Sequence, residues 1–301
     1  MKTPNILSCG EVLWDLFPSG ARFGGAPANF ACHASILGGQ VSMLSGVGTD
    51  ARGDEALSIL EGFHVDTSLI QRIANAPTGT VGISLADPTR PVFEIHANSA
   101  WDNINWTTEL ETRLAEVDAV YFGTLGQRGV RSRQTIQQAI QAAKSRGIPR
   151  VLDVNLRKPF YDAGLLRDSI AQASVLKLSD EELREVAAAC DIASDAAPEI
   201  VLRQLLSQFK FDLVVMTRGA EGAILVSPAE LILQPGIPAV VRDTVGAGDS
   251  FTAALVVGLL RGDSLTTIAR TACETASAVC EHDGAVPESY YLPPLPRSHS
   301  Q

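Results

Sequence analysis

The stretch Asp243-Thr244-Val245-Gly246-Ala247-Gly248-Asp249-Ser250-Phe251 sets two glycines and a carboxylate directly before an apolar run over 251–260. If that run is a helix, the turn ahead of it exposes backbone N–H groups at the positive end of the helix dipole. Such a turn binds phosphate or a developing anion. Asp249 is out of place in a plain phosphate cradle, because its charge repels the ligand. It suits a base that takes a proton from a hydroxyl attacking phosphorus, and the helix N-terminus favours its ionised form. N–H groups of Gly246, Ala247 and Gly248 around a transferring group, with Asp249 beside it, outline a phosphoryl-transfer site. The same residues also fit a simpler part, in which Asp249 caps the helix.

Other phosphate and catalytic machinery is absent from the sequence. There is no G-x-x-x-x-G-K-[ST] run, no protein-kinase signature, no H-E-x-x-H and no G-x-S-x-G. Gly46, Gly48 and Gly53 do not make G-x-G-x-x-G, which weighs against a dinucleotide-dependent oxidoreductase.

The elements that must position this turn read as alternating strands and helices. Strand runs fall at 6–9, 41–45, 117–122, 151–154, 175–178, 213–217 and 223–226, and helical windows at 27–37, 51–60, 131–145, 180–190, 199–209, 249–260 and 265–281. Strands rich in Val, Ile and Leu, separated by helices, predict a doubly wound, mostly parallel α/β sheet with helices on both faces. Ligands then bind at the C-terminal ends of the strands. Two segments break the alternation. Residues 11–17 follow the first strand with no helix, and 79–85 and 92–96 read as two strands joined by Asp87-Pro88-Thr89-Arg90. Segments of about 11–23 and 78–100 are expected to form a small β-sheet lid, with a plain edge hairpin as the alternative. No repeat or linker divides the chain, so 1–301 reads as one domain. The proline-bearing tail over 290–301 reads as a strap or a disordered end.

The 301 residues carry a net charge of −10 and 46% hydrophobic residues, enough for a large core. The acidic balance argues against a nucleic-acid partner. No apolar run approaches the roughly 18–20 residues of a membrane span, and the N-terminus has no secretory h-region. Cys9, Cys32, Cys190, Cys273 and Cys280 show neither C-x-x-C nor zinc spacing, and Cys273 and Cys280 are expected to share a buried helix face. A cytoplasmic location is expected.

Two separated signatures resemble those of the ribokinase-like sugar kinases, the phosphofructokinase B family. One is Asp243-Thr244-Val245-Gly246-Ala247-Gly248-Asp249. The other is Gly24-Gly25-Ala26-Pro27-Ala28-Asn29-Phe30, continuing through Gly38-Gly39 and Gly46-Val47-Gly48 to Asp50 and Gly53. The resemblance runs in order over nearly the whole chain, to Gly284-Ala285. Gly10-Glu11-Val12-Leu13-Trp14-Asp15, Ala100-Trp101-Asp102, Asp153-Val154-Asn155-Leu156-Arg157 and Lys177-Leu178-Ser179-Asp180-Glu181-Glu182 are most similar to bacterial fructokinase-type members.

What the resemblance implies is an ATP-dependent sugar kinase, most similar to a fructokinase, with a ribokinase-like fold. Asp249 would be the base, with Gly246, Ala247, Gly248 and Arg157 stabilising the transferring charge. Asp15, Gly24, Gly25, Asn29, Asn155 and Asp249 would hold the sugar; Lys177, Thr217, Gly219 and Gly222 would hold the nucleotide. Glu182 would organise hydrated Mg²⁺, although Ser179 stands where the family has Asn. Asp243 and the Gly284-Ala285 loop would be the place of a possible K⁺. Without the resemblance, Gly24-Gly25 is a strand–helix turn, Arg157 a solvated side chain, Thr217 to Gly222 a hairpin turn and Glu182 an ordinary first-turn acid. A homodimer paired through exposed lid edges is expected. The competing functions are a kinase for ribose, 2-keto-3-deoxygluconate or a nucleoside, and a non-catalytic sugar-binding protein of the same fold.

Overall fold

A computed structural model of the chain describes residues 3–84 and 92–287. Strands β1 (Asn5–Cys9), β2 (Leu13–Phe17) and β3 (Gly20–Gly24) precede helix α1 (Ala26–Ile36), followed by β4 (Gln40–Gly48), α2 (Ala51–Gly62) and β5 (Ile70–Ile73). Next come β6 (Gly79–Ser84), β7 (Val92–Ile95), α3 (Thr108–Leu114), β8 (Ala119–Gly123), α4 (Val130–Ser145) and β9 (Arg150–Asp153). The chain continues with α5 (Ala163–Gln172), β10 (Val175–Ser179), α6 (Asp180–Ala189), α7 (Pro198–Phe209) and β11 (Leu213–Thr217). Strands β12 (Ala223–Val226) and β13 (Leu231–Gln234) lead to α8 (Ala247–Arg261) and α9 (Leu265–Cys280).

The main sheet has the order β13-β12-β11-β10-β9-β8-β1-β4-β5. It is parallel from β11 to β5, as the sequence predicts. At one edge β12 and β13 run antiparallel. The connection from Thr217 to Ala223 is too short for a crossover helix, so the chain can only return as a hairpin. Strand β1 feeds β4 on one side, and the chain later returns to β8 on the other. The order therefore reverses between β1 and β8, where a crevice opens at the strands' C-terminal ends.

Alternation along each strand sorts the core into two layers. Ile6, Tyr121, Val151, Val175 and Val215 face α1, α8 and α9, whereas Leu7, Phe122, Leu152, Leu176 and Met216 face α4 to α7. Phe30 of α1 stacks on Tyr121 of β8 with 3.9 Å between ring centroids, which seats the helix on the sheet. Helix α8 is buried on nearly every side from Ser250 to Gly258, and so is fixed between the sheet and its neighbouring helices.

A second sheet, ordered β3-β2-β6-β7, stands apart from the first and is no edge hairpin of it. Leu13 and Val81 form its small apolar cluster with Phe17 and Ile95. The Trp14 indole donates to the Arg52 carbonyl at 3.1 Å and ties this sheet to α2. The turn expected at Asp87 to Arg90 and the tail from Tyr290 lie outside the described residues. All five cysteines are free; Cys273 is buried, but Cys280, at the end of α9, is only partly so. Among the described residues no helix is long and apolar enough to cross a membrane.

Candidate active site

The N-terminus of α8 lies at the crevice because a strained turn puts it there. Gly246, the N-cap, sits in the left-handed region at φ 80° and contributes no side-chain cap. A Cβ at Gly246 would collide with the backbone of Ala285. Asp243 clasps the loop, with Oδ1 accepting from the Val245 N–H and Oδ2 from the Gly284 N–H, both at 3.0 Å. His33 of α1 bonds the Ala285 carbonyl at 2.9 Å, which braces the loop from the other side. The first N–H groups of α8 thus keep one fixed direction, toward the crevice.

Asp249 is the third residue of α8, not its cap. Its Oδ2 accepts from the Asn29 amide of α1 at 2.8 Å. Burial pushes its carboxyl up to about 6; the Asn29 bond, Lys177 and Arg157 pull it down, and Asp153 raises it. At neutral pH it is mostly ionised, yet basic enough to take a proton. The helix-cap reading of Asp249 therefore falls away. Asn29, read from the resemblance as a sugar ligand, is spent in part on holding Asp249, and its own Oδ1 has no protein partner.

Beneath this turn lies a buried ion pair that strand alternation explains. Asp153 follows Val151 by two positions and Lys177 follows Val175 by two, so both point to the α8 layer. Lys177 Nζ meets Asp153 Oδ2 at 3.0 Å. Thr252 donates to that same carboxylate oxygen at 3.0 Å. Lys177 Nζ also lies 3.2 Å from where a Cβ on Gly248 would be, so the ammonium supports the anion-binding turn from below. Removing one partner of such a pair strands a buried charge, at a cost of about 3–5 kcal/mol.

On the other wall of the crevice is Asp15 of β2, paired in register with Arg22 of β3. Gly24 makes room for it, since a Cβ there would lie 2.9 Å from Asp15 Oδ2. Burial pushes the Asp15 carboxyl up to about 6, although Arg157 and Arg22 both pull it down. The N-cap of α1 is Gly25, at φ 107°. Asn155, just past β9, takes a left-handed φ of 38°, and the exposed Arg157 follows two residues on.

The expected nucleotide residues sit along β10 and β11. Thr217 ends β11 and pairs with Ala223, so the loop is the hairpin turn the bare sequence allowed. Gly222, at φ 90°, is packed against the backbone of residues 234–236, whereas Gly219, at φ 50°, has open space around it. Gly219 is thus the position that a ligand can approach. Glu182 and Ser179 form a capping box on α6. Both Glu182 oxygens are engaged, with Oε1 accepting from the Leu156 N–H at 2.7 Å and Oε2 from the Ser179 N–H at 2.8 Å. The plainer reading of Glu182 is therefore realised, and the same bonds tie α6 to the loop that carries Asn155 and Arg157. Among the described residues no group of three or more His, Cys, Asp or Glu side chains is arranged to hold a metal. A lone carboxylate of this kind fits a hydrated Mg²⁺ arriving on phosphates, not a dedicated cage. Asp243 fits K⁺ less well, because Arg22 faces its Oδ2 at 3.4 Å and both its oxygens hold loop N–H groups.

Sequence reasoning passed over Glu11, Asp153 and Thr252. The signal for Asp153 and Lys177 was present: opposite charges at matching positions of neighbouring, otherwise apolar strands. A cluster at Trp101 also follows from residues that had only been matched. Arg128 stacks 3.9 Å from the Trp101 ring and forms an ion pair with Asp102 at 2.8 Å, fixing the chain that leaves the second sheet.

Residues 20–289 match the pfkB family carbohydrate kinase family. The chain is 30% identical over 260 residues to a fructokinase of Klebsiella pneumoniae, covering 83% of this chain and 82% of that one. It is 28% identical over 260 residues to a ribokinase of Bacillus subtilis, with 85% and 81% covered. Its structure is similar to that of a sugar kinase from Pyrococcus horikoshii solved in complex with ATP. The TM-score is 0.80 at 27% identity, over 96% of this chain and 95% of that one.

Proposed function

The chain belongs to the pfkB family of carbohydrate kinases, and from that premise we propose that it transfers the γ-phosphoryl group of ATP to a primary hydroxyl of an uncharged ketohexose, fructose first. The observation that carries this reading is Asp249, held by Asn29 at the N-terminus of α8 beside the turn at Gly246. Fructokinase and ribokinase relatives both support a free sugar as acceptor. The charge of the sugar wall points the same way. Asp15 and Asp249 face Arg157 there, while Arg22 is shared with Asp243, so no surplus of cations awaits a sugar acid or sugar phosphate.

In the reaction, Asp249 accepts the proton of the sugar hydroxyl as its oxygen bonds to the γ-phosphorus. The bond to the β,γ-bridging oxygen breaks, and ADP leaves with the electron pair. N–H groups around Gly246, Ala247 and Gly248 stabilise the charge on the transferring group, and Arg157, whose side chain makes no hydrogen bond or ion pair among the described residues, pairs with phosphate oxygens. Glu182 would help hold the waters of an Mg²⁺ bound with the nucleotide, and that ion would supply neutralisation of phosphate charge. No step is assigned to K⁺. Asp15, whose carboxylate takes no hydrogen bond among the described residues, accepts two sugar hydroxyls; Gly25 and Asn155 line the same space. Lys177, Thr217 and Gly219 border the nucleotide, Lys177 through charge from below. The second sheet serves as a lid whose closure excludes water, and its free edges at β3 and β7 pair two copies in the cytoplasm.

A panel of fructose, ribose, 2-keto-3-deoxygluconate, a nucleoside and fructose 6-phosphate tests the substrate, with ADP release as readout. Fructose is expected to give the highest kcat/KM. A preference for the acid sugar or the sugar phosphate would overturn the uncharged-ketohexose reading. Asp15→Ala is expected to weaken sugar binding by about 10- to 100-fold, the loss of one or two charged hydrogen bonds, with kcat changed far less. Calorimetric sugar binding equal to the wild type would take Asp15 out of the site.

A further inference from the structure

Glu11 stands immediately after β1 and Gly10, is 2% exposed, and takes no part in the roles above. Its side chain lies against the N-terminus of α1, since a Cβ on Gly25 would lie 3.4 Å from Glu11 Cγ, and the N–H of Ala26, the first helical residue, favours its ionised form. Its Oε2 is buried without a partner. Helix α1 has no acidic residue in its first turn, and its N-cap, Gly25, offers no side chain. The positive end of this helix is therefore served by a carboxyl from outside it.

The space around Glu11 is closed by small residues. A Cβ on Gly25 would lie 2.6 Å from the Glu11 carbonyl, and one on Gly126 would lie 3.5 Å from Glu11 Oε2. A Cβ on Gly10 would lie 2.6 Å from Pro27 Cγ, so the β1 end and the α1 start are in close contact. One turn into the same helix, Asn29 makes its 2.8 Å bond to Asp249.

We propose that Glu11 is a positioning residue: as a neutral acid it anchors the start of α1, and through Asn29 it holds Asp249 in line with the sugar hydroxyl. This rests on Asp249 being the base. The charge of Asp249 disfavours ionisation of Glu11. Burial, with Asp249 adding to it, pushes Glu11 up to about 7, against the pull of its own backbone N–H, of Arg157 and of the Ala26 N–H. Asp249 therefore ionises first while Glu11 keeps its proton. Other titratable groups face this space. Asp15 is pushed to about 6 and His33 below its ordinary imidazole value, and Tyr121 and Lys177 are pushed up, with Asp153 held as Lys177's partner. Ionisation of Glu11 above about pH 7 places a second negative charge beside Asp249 and the incoming phosphates, and slows the reaction.

The test compares Glu11→Gln and Glu11→Ala by the pH dependence of kcat and kcat/KM, with thermal melts to confirm folding. Glu11→Gln, which copies the neutral acid, is expected to keep kcat within about threefold and to lose the decline above pH 7. Glu11→Ala is expected to lower kcat by about tenfold or more, with sugar KM changed less. Wild-type kcat in the folded Ala variant, or an unchanged alkaline decline in the Gln variant, would overturn the assignment. Asp249→Ala, run alongside, separates the two ideas. If it is inactive while Glu11→Gln behaves as wild type at every pH, the base stands and Glu11 does not.

Discussion

Asp249→Ala is expected to lower kcat by about 10²-fold or more, the scale of a positioned general base, while sugar affinity stays within a few fold. Asp249 does more than react: it is the partner of Asn29, whose amide is buried. The Ala variant leaves that amide unsatisfied, a cost of about 1–3 kcal/mol, so a lower melting temperature accompanies the lost activity. Asp249→Asn separates the two effects. An Asn at 249 still offers Asn29 a carbonyl oxygen but cannot take the hydroxyl proton, so stability returns and turnover does not. The wild-type acid limb belongs to Asp249 together with Asp15. With both carboxyls near 6, their ionised forms are lost as pH falls, and kcat/KM is expected to drop at least about tenfold per pH unit well below 6. Near-normal turnover in either variant would remove Asp249 as the base.

Gly246→Ala is expected to do comparable damage by a different route. The residue needs φ 80°, a conformation that costs an L side chain roughly 1–2 kcal/mol, and its added methyl would strike the Ala285 backbone. That contact is backed by His33 and by the Asp243 clasp, so the loop has little freedom to retreat. The turn must move, and with it the N–H groups that face the transferring group. Losing one such donor costs about 10²- to 10³-fold in kcat, and overpacking costs about 1–3 kcal/mol in stability. Steady-state turnover and a urea melt measure both. Wild-type values of both would mean that the turn is not under the constraint described.

Much of the fold was legible because its strands are buried on both faces and read as apolar runs, such as 213–216 and 223–226. Strands β5 and β13 were not, being short and half-exposed edge strands with polar residues among the apolar ones. Helices α3 and α5 were passed over as well; α3 has only seven residues, with Leu110 and Leu114 as its buried pair. The antiparallel edge could have been read from the five residues separating β11 and β12, had connection length been weighed against strand pattern. At the site, the turn carrying Asp249 was visible because glycine, carboxylate and apolar helix are adjacent in sequence. The supporting contacts were not. Asn29 and Lys177 were named only as ligand residues, and Thr252 and Glu11 were given no role; they act across elements far apart in the chain, and only packing of α1 against α8 and the sheet brings them together. Glu182 shows the converse, where a residue matched by resemblance proves to have both oxygens engaged in backbone bonds, one local at Ser179 and one across to Leu156.

The most direct measurement is sugar-phosphate formation from fructose and ATP–Mg²⁺, followed together with ADP release, on the wild type and Asp249→Asn side by side. The account predicts one fructose phosphate per ADP from the wild type, and at least about 10²-fold slower transfer in the variant with fructose binding retained by calorimetry. ADP released without a sugar phosphate, or equal transfer by the two proteins, would contradict it.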